Sequence, residues 1–280
     1  MEVFHHIAAS VPRRQDIVEL AEKYQIKVNI IKGTYNNKDD YLFTMKVSES
    51  HPGWEEIEQV LAKQPTLDRT YTLFTEAEIR AAPWSYVGWR WEHGYPMLKS
   101  KFPYLPQTRK ILCRGCFRYE QYAPYRISSD PKIAKNQFFS MICLNELFAV
   151  PEVIETFKQQ GFSGFQDWDL MLHRKNIPTL RTRQIYVDGV LPFNVQNIAQ
   201  LPDPTTCPVC GTITYQAHTG GTLEYKASDL AGVKQDFMLT QEWTKNGNLT
   251  WREMLISNRV AQCILDHKWK GIQLKAINLV

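Results

Sequence analysis

Four of the six cysteines in this 280-residue chain fall into two C-x-x-C pairs, Cys113/Cys116 and Cys207/Cys210. A two-residue spacer lets both sulfurs of a pair face one ion, and zinc takes four thiolates tetrahedrally. If the pairs share a metal, the fold must bring together residues about 90 positions apart. A compact zinc ribbon separates its pairs by about 15–20 residues. Here the ion would tie two halves of a domain together rather than fold a small finger. The expectation is one structural zinc per chain, because an all-sulfur ligand set leaves no position for water and speaks against catalysis at the metal. Cys207-Pro208-Val209-Cys210-Gly211 is the stronger knuckle. Its Pro stiffens the turn and its Gly can adopt positive φ. Cys113-Arg114-Gly115-Cys116-Phe117 carries Gly inside the turn and Phe after it. A redox-active C-x-x-C and two unrelated buried pairs stay open as alternatives. Cys143 and Cys263 stand alone among apolar neighbours and read as buried, inert thiols.

A second constraint is an internal repeat. Glu146–Gln166 aligns without a gap on Glu253–Gln273 at a fixed offset of 107, matching Val153 with Val260, Phe157 with Ile264, Phe162 with Trp269 and Gly164 with Gly271. Both segments read as strand, capped helix, turn and strand, and each has a C-x-x-C pair upstream. Two units are too few for a solenoid. They suit a pseudo-symmetric pair in which each half supplies one layer and two metal ligands, chance similarity of a common α/β pattern being the alternative.

The first 82 residues have a different rhythm. Val3–Ala8, Lys27–Ile31, Tyr41–Val47 and Thr70–Phe74 read as strands, Pro12–Lys23 and Trp54–Lys63 as helices, and 33–40 as a turn. The order β-α-β-β-α-β is the split-βαβ, ferredoxin-like arrangement. The predicted fold class is therefore α+β: a split-βαβ domain over 1–82, an aromatic, Pro-rich connector over 83–106, and a zinc-ribbon-tied domain of two strand-helix-strand repeats over 107–280. The connector is too aromatic for a disordered linker.

Composition narrows the function classes. A net charge of +4 is far below the single-sign field of a dedicated nucleic-acid binder. No apolar run is long enough to cross a bilayer and the N-terminus does not read as a signal peptide, so the expected compartment is the cytoplasm. The chain contains no Walker, dinucleotide-binding, H-E-x-x-H or G-x-S-x-G motif, and no catalytic residue is assigned. Asp167 and Asp169 share a strand face and could form an acid/base pair, although a solvated edge is commoner. His218, in a polar loop after the second knuckle, could stand behind the metal ligands or be an ordinary loop residue. Arg174, Lys175, Arg181 and Arg183 form a basic cluster that could contact phosphate, or simply an exposed hairpin.

Cys113–Cys116, the Glu146-Leu147-Phe148 unit, the stretch from Leu172-His173-Arg174-Lys175 to Arg183, Cys207-Pro208-Val209-Cys210-Gly211, and the closing unit from Leu255-Ile256-Ser257 to Gly271-Ile272 together resemble the bacterial double-CxxCG motif family. The resemblance covers roughly 105–280 and departs from the pattern at Phe117, where Gly is expected. It implies a cytoplasmic binding protein, since some members are self-immunity proteins that neutralise a cognate toxin. Trp84, Trp89, Trp91 and Trp243 are the candidate anchors for a protein partner. The alternative is a nucleic-acid-binding adaptor of a defence or regulatory system working through the basic 173–183 stretch.

Overall fold

In a computed structural model, the protein is described at all residues except 11–13, 36–37, 64–65, 95–104, 134, 143, 199–200 and 202, with the side chains of 33–35, 38–40, 89 and 105 also outside the description. It is a mixed α+β protein and divides into two units, Met1–Thr75 with Thr219–Gly221, and Glu76–His218 with Thr222–Val280. No described helix is long and apolar enough to cross a membrane.

The first unit is built from β1 (Glu2–Ser10), α1 (Gln15–Lys23), β2 (Val28–Tyr35), β3 (Lys38–Ser48), α2 (Trp54–Leu61) and β4 (Leu67–Leu73). The strands lie in the order β2-β3-β1-β4, every neighbouring pair antiparallel. Alternation puts Ile7, Phe43, Met45 and Val47 on one face, where they pack with Ile17, Val18 and Ala21 of α1 and Trp54 and Ile57 of α2. The segment expected as a turn over 33–40 is strand for most of its length: Gly33 pairs with Asp40 and Tyr35 with Lys38. Polar residues at a hairpin's end resemble turn chemistry even when the ladder runs through them. Of the two adjacent histidines, His5 is the buried one. Its Nδ1 lies 2.6 Å from Asp68 Oδ2 and its Nε2 3.1 Å from Glu49 Oε1, with the ring stacked on Trp54 at 4.0 Å.

The second unit opens with α3 (Glu76–Ala81), β5 (Trp84–Arg90), α4 (Leu105–Thr108), β6 (Arg109–Ile111), β7 (Tyr119–Gln121), β8 (Arg126–Ile127) and β9 (Phe138–Phe139). It continues through β10 (Leu147–Ala149), α5 (Pro151–Gln159), β11 (Gln166–Leu172), β12 (Ile177–Tyr186), β13 (Thr205–Thr206), β14 (Ile213–Tyr215), β15 (Glu224–Tyr225) and α6 (Ala227–Ala231). It closes with β16 (Phe237–Leu239), β17 (Trp243–Asn246), β18 (Leu249–Trp251), β19 (Met254–Ser257), α7 (Asn258–Asp266), β20 (Ile272–Ala276) and β21 (Asn278–Leu279).

The offset of 107 recurs in these elements. Pro151, which opens α5, corresponds to Asn258, which opens α7, and Gln159 and Asp266 close them. The turns that follow use the same backbone, with positive φ at Gly161 and Lys268 and again at Gly164 and Gly271. The two turns are exchanged between halves. Phe138 N–H donates to Lys270 O at 3.0 Å, and Phe237 N–H donates to the equivalent Ser163 O at 3.1 Å. In return, Lys270 N–H donates to Gln137 Oε1 at 2.9 Å and Ser163 N–H to Asp236 Oδ2 at 3.0 Å. Each half thus binds its edge strand to the other half's turn, as a two-fold axis requires.

The sheets obey the same symmetry with one substitution. The first half orders its strands β9-β10-β12-β11, with β8 beyond β11, and the second β16-β19-β5-β20. Strand β5 thus takes the place that β12 holds in the first half. Leu255 pairs with Tyr86 in the second half, whereas Phe148 pairs with Gln184 in the first. This corrects the reading of 83–106 as an irregular connector ahead of the C-terminal domain. Its first part is an inner strand of the second half's sheet, and the division between units falls after Thr75 rather than after residue 82.

Two predictions follow from this packing. Gly271 has φ +91, and a Cβ there would overlap the Phe138 carbonyl, whereas a Cβ on Gly161 at φ +68 meets nothing. Gly271→Ala should therefore cost well over 2 kcal/mol and Gly161→Ala about 1 kcal/mol, read by denaturant melts. In the first unit, burial lowers the His5 pKa, but hydrogen bonds to Asp68 and Glu49 outweigh it and hold the pKa above its usual value. The stability from His5 is then fully present below about pH 6.5 and is lost as pH rises through the raised folded pKa. Amide exchange on β1 and β4 should quicken across that interval, and Asp68→Asn should flatten the dependence.

Candidate metal centre

Both C-x-x-C pairs sit at the tips of antiparallel hairpins, β6–β7 and β13–β14. The tips are built alike. Cys113 N–H donates to Arg118 O at 3.3 Å and Cys207 N–H to Thr212 O at 2.9 Å. The residue after the second cysteine is left-handed in both, Phe117 at φ 61 and Gly211 at φ 71. Phe117 therefore adopts the backbone that glycine takes freely, at a cost on the order of 1 kcal/mol or more. Inside the first tip, only glycine fits at 115, because a Cβ would collide with Cys207 Sγ and the Val209 side chain.

The four sulfurs of Cys113, Cys116, Cys207 and Cys210 lie within 4.8 Å of one another. Across the hairpins, Cys113 Sγ is 3.7 Å from Cys207 Sγ, and Cys116 Sγ is 3.7 Å from Cys210 Sγ. Four thiolates at the usual zinc–sulfur length stand roughly 3.8 Å apart in a tetrahedron, so the donor set fits a single ion of that size. Among the described residues it is the one group of three or more His, Cys, Asp or Glu side chains arranged to hold a metal. Cys113, Cys116 and Cys207 are buried and Cys210 is exposed.

The surroundings favour thiolate at Cys210 and Cys207. The hydroxyl and backbone N–H of Thr212 hold the Cys210 thiol down at about 5. Backbone N–H groups of Val209 and Cys210 lower that of Cys207. The N–H groups of Cys116 and Gly115 pull on Cys113 in the same sense, but burial and the neighbouring sulfurs outweigh them and its pKa rises. Arg118 Nη2 lies 3.6 Å from Cys210 Sγ, bringing positive charge to the sulfurs. Thr250 Oγ1 donates to the Cys116 carbonyl, anchoring the first tip to β18.

The other sequence candidates are placed as follows. Trp84 is buried at 7% exposure in a core cluster with Tyr86 and Leu255, so it is not an exposed anchor, which corrects that expectation. Trp89 lies on β5 with its side chain outside the description. Trp91 is half-buried and stacks on His93 at 4.8 Å. Trp243 is half-buried between the guanidinium groups of Arg118 at 5.3 Å and Arg252 at 4.5 Å. Arg174, Lys175 and Arg181 are exposed. Arg183 is not a free cation, since it pairs with Asp167 and Asp169 at 2.7 Å each, which removes it from the phosphate candidates. The same pairing, with Lys158 2.7 Å from Asp167, neutralises the two carboxylates that share a strand face. His218 meets Tyr86 Oη at 3.4 Å, and burial, helped by Lys275, lowers its pKa to about 4. It is a packed histidine rather than a support for the sulfurs. Cys263 is part-buried, with its pKa raised by burial, and Cys143 lies outside the described residues.

Sequence reasoning missed Glu146 as a half-buried hub. Its Oε1 accepts from Tyr119 Oη at 2.6 Å and Tyr125 Oη at 2.7 Å. The repeat flagged Glu146 and Glu253 as equivalent, but nothing local marks their partners. No family model matches the chain, and a search of curated proteins returns no match.

Because each tip supplies two ligands, the hairpins should loosen together. Cys113→Ser and Cys207→Ser should each lower the melting temperature by more than about 10 °C and abolish metal retention. Either variant, or treatment with a chelator, should raise amide exchange in β6–β7 and β13–β14 alike. Loss confined to the mutated hairpin would mean two independent pairs.

Proposed function

We propose that the chain is a zinc-stabilised cytoplasmic binding protein that neutralises a cognate toxin by direct contact. The observation that carries the zinc assignment is the four-sulfur cluster, two ligands from each hairpin, at spacings that suit one tetrahedral ion. Cys113, Cys116, Cys207 and Cys210 would hold the ion, and its role would be to lock the two hairpin tips rather than to act on a substrate. A binding role agrees with this closed ligand set and with the ion-paired state of Asp167 and Asp169, the one carboxylate pair that suggested acid/base chemistry. The immunity reading comes from the resemblance to the double-CxxCG family, and the absence of a long apolar helix among the described residues is compatible with a cytoplasmic site.

The nucleic-acid reading keeps three exposed cations, Arg174, Lys175 and Arg181, but loses Arg183 to its carboxylate partners. It is the weaker of the two.

Co-expression with the product of the neighbouring gene tests the proposal. The expected result is a stoichiometric complex that survives high salt and rescues growth if that product is toxic. Absence of a complex, with salt-sensitive retention on a single-stranded oligonucleotide that is lost in an Arg174→Glu/Arg181→Glu variant, would favour the adaptor instead.

A further inference from the structure

The pseudo-two-fold arrangement makes one asymmetry informative. The offset of 107 relates Glu146 to Glu253, and the hairpins, aligned at their cysteines, relate Gln121 to Tyr215. Gln121 and Glu146 line one cavity, and Tyr215 and Glu253 line another. In the second half the cavity beside Tyr215 and Glu253 has a volume of only about 20 Å³, because Val195, Leu201 and Leu223 fill it. The cavity beside Gln121 and Glu146, which Leu239, Trp243, Trp251 and Met254 of the second half also line, is a cleft of about 380 Å³. Around these equivalent residues one cavity is filled by apolar side chains, whereas the other, walled by both halves, stays open.

We propose that this cleft, between the β6–β7 hairpin, β12 and the β17–β18 hairpin, receives a basic side chain carried on an apolar segment of a protein partner. It rests on the reading of the chain as a binding protein but not on the partner being a toxin. The size is at the lower end of ligand pockets, roughly 300–1,000 Å³, enough for one or two side chains. Trp251 and Tyr186 offer aromatic surface, which attracts cations to its face and apolar groups by burial, while Trp243 is already met by the guanidinium groups of Arg118 and Arg252. Three carboxylates line the cleft, Glu120, Glu146 and Asp188, against the single guanidinium of Arg252.

That guanidinium is already committed. Arg252 Nη1 donates to the carbonyls of Thr240 at 2.7 Å and Gln241 at 2.9 Å, and the group stacks on Trp243. Glu146 is likewise taken by two tyrosine hydroxyls, which leaves Glu120 and Asp188, both exposed, as the carboxylates that meet an incoming cation. They flank Tyr186, whose phenol is pushed up by burial first and by Asp188 and Glu120 after it. On a chain of net charge +4, this acidic, aromatic recess runs against the overall field, which favours a cation locally. The cleft floor is fixed by a reciprocal amide pair, Gln121 Nε2 to Gln184 Oε1 at 2.8 Å and Gln184 Nε2 to Gln121 Oε1 at 2.7 Å.

The test titrates the full metal-loaded chain with acetyl-Leu-Arg-Leu-amide, its Leu-Glu-Leu counterpart and agmatine, followed by tryptophan fluorescence and calorimetry. The arginine peptide should saturate at least about tenfold more tightly than the glutamate peptide and than agmatine. A Glu120→Gln/Asp188→Asn variant should weaken it at least about fivefold with an unchanged melting temperature. No saturation by about 10 mM, equal binding of the two peptides, or an unaffected variant would overturn the proposal. Agmatine binding as tightly as the peptide would overturn the peptide assignment in favour of a free amine. None of these outcomes depends on finding a toxin, so this proposal and the immunity reading can fail separately.

Discussion

The C-terminal unit depends on closing two halves of one chain onto each other, and four cysteine sulfurs mark the point of closure. The tips of β6–β7 and β13–β14 come close enough that a Cβ at residue 115 would strike Cys207 Sγ. Four free thiols at 3.7 Å spacings are a poor end state, since thiolates repel and thiols make only weak hydrogen bonds. A bound cation turns that repulsion into attraction. The reciprocal bonds of Ser163 to β16 and Lys270 to β9 do the same work through the backbone, one pair for each half.

The symmetry also explains which residues are exacting. Gly164 and Gly271 are the points where one half's turn passes against the other half's edge strand, so both need positive φ and no side chain. Phe117 and Gly211 show the opposite tolerance: the same left-handed backbone is met by phenylalanine in one tip and glycine in the other. The difference is local, because beyond Gly211 a Cβ would meet open space, so only the backbone penalty applies at that position.

Much of this was legible in the sequence. The paired cysteines, the offset of 107 and the β-α-β-β-α-β order of the first unit all rest on short-range patterns that survive folding unchanged. What was not legible depends on distant pairing. Nothing around Trp84–Arg90 announces that β5 is an inner strand between β19 and β20, whose residues come about 170–190 positions later. For that reason Trp84 looked like an exposed anchor and is core instead. Arg183 looked like part of a basic patch because its partners, Asp167 and Asp169, lie across a hairpin rather than beside it in sequence. The open cleft was invisible because its walls, among them Tyr119, Tyr186 and Trp251, come from segments far apart in the sequence.

X-ray absorption at the metal edge of the purified protein tests the central claim most directly, because it counts the ligands as well as detecting the ion. The account predicts one zinc per chain with four sulfur scatterers at about 2.3 Å and no light-atom shell. Two sulfurs with nitrogen or oxygen neighbours, or one ion shared between two chains, would contradict the four-cysteine tie and separate the two halves that it is held to join.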